Sequence, residues 1–163
     1  MDSLRIMAKS NFQRMLDLAD EVFHTRHDSD QLDVNDQVIE RLARLHPNAV
    51  CEFDDGNGPV AWIILIPTTS SLMREFLNKS IGEQELFERT TEGAVYDALY
   101  LCSAMVLEEY RRKGICRRLV LEAVENIRRD HPIQSLFVWT FSDAGSAAAK
   151  ALSEATGLPL FKR

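Results

Sequence analysis

Cysteine is scarce: three in 163 residues, at positions 51, 102 and 116. The number is odd and the spacing wide, which suits free thiols and excludes both a disulfide framework and a CxxC metal pair. Glycine and proline are equally sparing, 7 and 5 residues, against 45% hydrophobic and 27% charged side chains. That balance is globular and leaves no place for a collagen-like, low-complexity or disordered chain. Long apolar runs are missing too. The longest, residues 60–66, is far short of a bilayer span, and the opening MDSLRIMAKSNF lacks the apolar heart of a secretory signal. A cytoplasmic protein with no membrane partner is expected. Positive charge is the minority sign, 19 basic residues against 25 acidic ones, for a net −6. Such a molecule repels polyanions, so a nucleic-acid partner is not expected. With no internal repeat and no Ser/Gly linker, residues 1–163 read as one domain.

What is present is ordered. Leu4, Ile6 and Ala8 alternate with polar or long side chains as in a short strand, and Ser10 and Asn11 then offer a helix cap. Phe12, Met15, Leu16, Ala19, Val22 and Phe23 recur at helical spacing over residues 11–24. A second helix carrying Val38, Ile39, Leu42 and Leu45 should stop at His46-Pro47. The link between them holds Asp28, Asp30, Asp33 and Asp36 and no basic residue. Residues 49–53 and 60–66 predict a hairpin around Asp54-Asp55-Gly56-Asn57-Gly58. Helical pieces broken near Gly82 follow over residues 70–90. Then come an apolar strand over 96–107, an amphipathic helix over 114–129, a strand over 136–141, and a helix of small residues over 146–156 ended by Gly157 and Pro159.

The densest chemistry lies where the central strand runs into a basic, glycine-containing turn and then a helix, AMVLEEYRRKGICRRL from Ala104 to Leu119. A helix start presents unpaired N–H groups and the positive end of its dipole, and Gly114 removes the side chain that would hold a diphosphate off the backbone. Arg111, Arg112, Lys113, Arg117 and Arg118 concentrate positive charge there in a chain otherwise acidic. A solvated basic helix start is the plainer reading, but the flanking strand and helix favour an anion site.

At these residues the chain resembles the GCN5-related N-acetyltransferase (GNAT) superfamily. Its signature is Arg or Gln, two residues, Gly, one residue, then Gly or Ala; here it reads Arg111-Arg112-Lys113-Gly114-Ile115-Cys116, with cysteine at the last place. The order of elements follows the same family over most of the chain. The resemblance implies an α/β (α+β) fold with a mixed, mostly antiparallel central sheet flanked by helices, and a splayed central strand that binds CoA. It implies acetyl-CoA as cofactor and a primary amine, small or peptidic, as acceptor.

Residue by residue, the resemblance sets the pantetheine arm along the backbone of Ala104 and Val106. The pyrophosphate falls on the N–H groups of residues 112–117, that is Arg112, Lys113, Gly114, Ile115, Cys116 and Arg117. Arg111, Arg112, Lys113 or Arg117 add charge-assisted bonds. Ser146 matches the polar residue near the start of the last helix. Ser153 stands where the family commonly carries a tyrosine that protonates the departing thiolate, and serine is a much poorer acid. Tyr100 occupies a position where some relatives carry a glutamate base, and its phenol is a workable proton donor. The leading expectation is therefore an N-acetyltransferase acting by direct attack on the thioester. The alternative is a non-catalytic acyl-CoA-binding or regulatory domain, which Ser153 favours.

Plainer roles fit the remaining residues. Cys116 and Cys102 read as packing thiols, since no histidine accompanies them. His24 and His27 beside Asp28 and Asp30 read as a polar helix end, with no metal expected. If the acidic link borders the acceptor site, with Glu52, Asp54 and Asp55 beside the hairpin turn, it would attract a cationic amine. Only six residues follow Gly157, so the last strands usual in this resemblance are expected to be missing or supplied by another subunit, as in a homodimer.

Overall fold

Ten residues from Pro59 to Thr68 form the strand around which the molecule is built, and all but Trp62 are buried. A strand apolar on both faces needs cover on both faces, and the computed structural model, which describes residues 9–24, 31–32, 34–140 and 142–163, supplies it. In chain order the elements are α1 (Asn11–His24), α2 (Asp36–Leu45), β1 (Val50–Asp54), β2 (Pro59–Thr68), α3 (Ser70–Leu77), α4 (Glu83–Arg89), β3 (Ala98–Val106), α5 (Ile115–Asp130), β4 (Ser135–Val138), α6 (Asp143–Thr156) and β5 (Leu160–Lys162). The five strands lie in sequence order in one sheet. The β1–β2 and β2–β3 pairs are antiparallel, while β3–β4 and β4–β5 are parallel and bridged by α5 and α6.

The core is mostly one cluster, with Ile63, Leu65, Leu99, Tyr100, Leu136 and Phe137 of the sheet set against Leu42, Phe76, Leu86 and Ile127 of the helices. A second, smaller cluster of Met15, Val60, Met105 and Leu107 seats α1. That seat refines the sequence expectation. The buried stripe of α1 is Met15, Leu18, Ala19 and Val22, one helical face, whereas Phe12 and Leu16 sit to one side of it and stay 53% and 41% exposed. Phe12 lies edge-on to Trp62 at 6.1 Å.

Helix starts follow the cap residues. The Ser10 hydroxyl accepts from Gln13 N–H at 3.1 Å, the Asn35 side chain from Val38 N–H at 3.0 Å, and the Ser142 hydroxyl from Gly145 N–H at 3.0 Å. Ser142 therefore starts α6 three residues before the expected place. The strand expected to reach residue 141 stops at Val138. The tail expectation is corrected in part: Leu160–Lys162 adds a last strand of its own, paired parallel to β4. The strand expected at Leu4–Ala8 and Asp28, Asp30 and Asp33 of the acidic link lie outside the described residues.

Candidate active site

Two neighbouring strands part company at the centre of the sheet. The parallel β3–β4 pairing covers only Ala98↔Ser135, Leu99↔Leu136 and Tyr100↔Phe137. Beyond Tyr100, β3 runs on to Val106 paired with β2, and among the described residues no strand pairs with its other edge. A bulge falls at the same point: Ile64 faces Ser103, Leu65 faces Leu101, and Cys102 is skipped. An extra residue re-aims the strand locally and helps to open the fork. Into the fork opens a cleft of about 410 Å³. Its walls are Ile63 and Leu65 of β2, Leu101 to Ala104 of β3, Cys116, Arg117 and Val120 of α5, Val138 at the end of β4 with Trp139 and Thr140 after it, and Ser142 at the start of α6 with the face carrying Gly145, Ala148, Ala149, Ala151 and Leu152. The α6 face is nearly bare of side chains, which leaves room for a narrow chain beside β3.

The wide end of the fork meets the basic turn. Gly114 caps α5 in the left-handed region, φ 75°, and Arg112 is left-handed as well, φ 64°. Left-handed residues on either side of Lys113 curl the backbone into the kind of concavity whose successive N–H groups receive anions. A Cβ on Gly114 would meet no protein atom within 4 Å, so the space beside it is open to an incoming group. The first amide of the helix to find a carbonyl is Arg118 N–H, on Gly114 O at 3.0 Å. The amides of Gly114, Ile115, Cys116 and Arg117 precede it and donate to no backbone carbonyl among the described residues. Arg111, Arg112, Lys113, Arg117 and Arg118 make no ion pair among the described residues, whereas Arg14, Arg41, Arg44, Arg89 and Arg129 do. A strand edge that β4 leaves open, a concavity at a helix start and cations outside any ion pair among the described residues fit an amide-bearing arm ending in a diphosphate, the shape of CoA.

The turn is held from outside. Arg14 of α1 grips Glu109 with two parallel bonds of 2.6 and 2.7 Å. That contact holds the Glu109 carboxyl down at about 2. Next along the chain, the Tyr110 hydroxyl donates to Asp55 of the hairpin turn. The bond lowers the Asp55 pKa and raises that of the phenol, each the other's main cause. Asp54 closes the hairpin turn by accepting from Gly56 and Gly58 N–H, and Glu52 accepts from Trp62 Nε1 at 2.8 Å. The hairpin carboxylates thus have structural tasks, and Asp55 ties the hairpin to the basic turn.

The expected site residues divide into two groups. Ala104, Cys116 and Arg117 line the cleft, and Arg111, Arg112, Lys113 and Gly114 form its exposed basic rim. Ile115 is buried and anchors the helix, leaving only its backbone N–H for the site. The carbonyl of Val106 accepts from Arg111 Nε at 3.4 Å. Cys116 is half-buried, and burial pushes its thiol pKa up, which suits packing rather than nucleophilic attack. The other group lies off the cleft. Ser146 accepts from Lys162 Nζ at 2.5 Å, and Ser142, one turn earlier, is the serine on the cleft wall. The Ser153 hydroxyl donates to Leu158 O at 2.6 Å and closes the end of α6. Tyr100 is fully buried against Phe76 and Phe137, and its hydroxyl donates to Glu83 Oε2 at 2.5 Å. The side chains of His24 and His27 lie outside the described residues, and no cluster of three metal-ligating side chains occurs among those described.

Sequence reasoning missed Trp139 and Glu83. Trp139 forms one cleft wall with its ring backed by Arg163, whose guanidinium lies 4.4 Å from the Trp139 ring and 4.6 Å from Phe76. No motif marks a tryptophan that follows a short strand. Glu83 stands in an unremarkable acidic stretch, GEQELFER, and only folding shows it to be the sole buried carboxylate among the described residues.

One comparison with known proteins bears on this geometry. No curated protein and no solved structure matches the chain. The model of one family does, "Acetyltransferase (GNAT) family", over residues 12–157, from the first turn of α1 to the glycine that ends α6. The forked sheet, the glycine-capped α5 and the small-residue α6 all fall inside that match, and the chain belongs to the GNAT acetyltransferase family.

Proposed function

We propose that residues 1–163 act as one acetyltransferase domain that moves an acetyl group from acetyl-CoA to a primary amine, small or peptidic. Family membership supports acetyl-CoA-dependent acyl transfer in general. The observation that carries the finer reading is the fork itself, whose unpaired β3 edge leads from the basic helix start at Gly114–Arg117 to Cys102 at the point of divergence. In this reading Ala104 and Val106 hold the amides of the arm. The N–H groups of Gly114, Ile115, Cys116 and Arg117 take the diphosphate, with Arg111, Arg112, Lys113 and Arg117 neutralising its charge. An arm so placed presents its thioester beside the bulge, where an amine entering between β3 and Trp139 can attack directly. Orientation supplies much of the acceleration in such a reaction, which therefore does not depend on an acid at residue 153. No helix among the described residues is long and apolar enough to cross a membrane.

A second reading keeps CoA binding without turnover. It is favoured by the engagement of Ser153 with Leu158 O, which leaves no tyrosine-like acid at the usual place. Two measurements test the CoA site that both readings share. CoA at one hundred times its dissociation constant should stabilise the fold by about 2.7 kcal/mol, seen as a raised melting temperature. Gly114→Glu, which puts an anion where the diphosphate would lie, should remove that shift while the protein stays folded. An unshifted melt with wild type excludes both readings. Thiol release from acetyl-CoA on adding amines then distinguishes an enzyme from a binding domain.

A further inference from the structure

Burying a carboxylate is costly unless its oxygens are matched by donors, so the one buried carboxylate among the described residues needs a reason. Glu83 opens α4 and is 3% exposed. Its Oε1 accepts from Leu32 N–H at 3.1 Å, in the segment leading to α2. Its Oε2 accepts from the Tyr100 hydroxyl at 2.5 Å and from Cys102 Sγ at 3.9 Å. Tyr100 is the last residue of β3 to pair with β4, and Cys102 is the bulged residue on the cleft wall just beyond. The carboxylate therefore sits behind the point of the fork, one thiol away from the cleft. The basic turn lies at the opposite end of the unpaired edge, so this is the end where the acyl group of a CoA held as above would lie.

We propose that Glu83 takes the proton from the acceptor amine, with the Cys102 thiol as its contact with the cleft and Tyr100 as the residue that orients it. The inference rests on the acyltransferase reading. An alkylammonium bound beside Cys102 gives one proton to Sγ as the thiol's own proton passes to Glu83 Oε2. The carboxylate becomes a carboxylic acid and the nitrogen lone pair is released. That pair forms the N–C bond at the thioester carbonyl. The C–S bond breaks with its electrons remaining on sulfur, and the second nitrogen proton goes to the departing thiolate, leaving amide and thiol. Among the described residues, Tyr100 and Cys102 face the carboxylate from β3. From the C-terminal segment, the Arg163 guanidinium reaches the Ile81 carbonyl at 2.7 Å, two residues before Glu83. From α2, Arg41 reaches the Phe87 and Thr90 carbonyls at the far end of α4.

The test is the pH profile of thiol release with ethylamine, spermidine and Nα-acetyl-lysine, alongside CoA affinity. Glu83→Gln keeps the shape of the side chain and removes the proton acceptor. It should lower kcat/KM by about a hundredfold or more, abolish the acidic limb of the wild-type profile, and leave CoA affinity within about twofold. Replacing ethylamine by 2,2,2-trifluoroethylamine, largely neutral at pH 7, should recover most of the loss. Tyr100→Phe, which leaves the carboxylate in place, should move the acidic limb and lower kcat by less. It also serves as the reporter if Glu83→Gln does not fold. A folded Glu83→Gln with an unchanged profile, or a Tyr100→Phe whose limb stays put, assigns Glu83 to packing and overturns the proposal while sparing the acyltransferase reading. Wild type that binds CoA but releases no thiol with any of the three amines overturns both.

Discussion

At the scale of single residues, the basic turn depends on partners far away in the chain. Arg14 and Glu109 are 95 residues apart, and their paired bonds fasten the segment before the turn to α1. The Glu109 carboxyl is held at about 2 against an ordinary 4.5. Its contribution to the fold is therefore complete above pH 4.5 and is lost as pH falls through about 2. A carboxyl-detected NMR titration should find Glu109 titrating near 2, and Arg14→Ala should return it to the usual carboxylate range. Because Arg14 touches the turn only from outside, the same variant should weaken CoA binding through disorder of the turn, by severalfold, without changing the pH dependence of turnover. Residue-scale contacts of this kind are not readable in advance: nothing in RMLDLADE or LEEYRRKG names the other as partner. Ser153 and Tyr100 make the same point. Their types and positions were legible, but their hydrogen bonds to Leu158 and Glu83 exist only once α6 and α4 are in place.

At the scale of elements, α6 is the clearest case of a composition with a structural purpose. Its sequence DAGSAAAKALSEAT was legible as a helix of small residues, and the fold turns those residues toward β3 and α5 to make a wall with room beside it. Ala148 is exposed and lines the cleft, so a larger side chain there fills cleft volume without being forced into the core. Ala148→Phe should therefore lower CoA affinity at least about tenfold while moving the melting temperature little; this rests on excluded space in a preformed site. Isothermal titration of CoA against both proteins checks it, and equal affinities would mean that the arm does not pass α6. The bulge at Cys102 is the complementary device on β3. It was not legible, because Tyr96 to Leu107 reads as one continuous apolar run and a one-residue mismatch appears only against the partner strand.

At the scale of the whole molecule, a pair of histidines joins the elements at the end of α5 remote from the basic turn. His46 accepts from Asn48 N–H on Nδ1 at 3.0 Å, so its Nε2 carries the proton that bonds Asp130 at 2.7 Å. His131 lies edge-on to it at 5.9 Å and accepts from Tyr96 N–H on Nδ1 at 3.3 Å. Burial chiefly, and His46 next, push the His131 pKa below 6.5, with Asp130 opposing. A depressed histidine is neutral in the fold, so its stability is complete above 6.5 and is lost as pH falls through the lower folded value, where protonation also removes the acceptor for Tyr96. The melting temperature of wild type should decline as pH falls below 6.5. His131→Asn, whose side-chain oxygen can keep that acceptor without titrating, should flatten the decline. Parallel curves would place the acid sensitivity elsewhere.

The sequence alone determined the order of helices and strands from α1 to α6, the concentration of basic residues at 111–118 before a helix, and the family resemblance. All three are local properties: periodicity, caps and a glycine before a helix act over a few neighbouring residues and leave their mark in the string. The tertiary structure decided where the cleft ends, which serine lines it, that Trp139 walls it and that Glu83 is buried behind it. Those depend on β3 parting from β4 after Tyr100, a choice made between strands 37 residues apart at Tyr100↔Phe137. Pairing energy at that range is set by what each strand packs against, and no short stretch of sequence contains it.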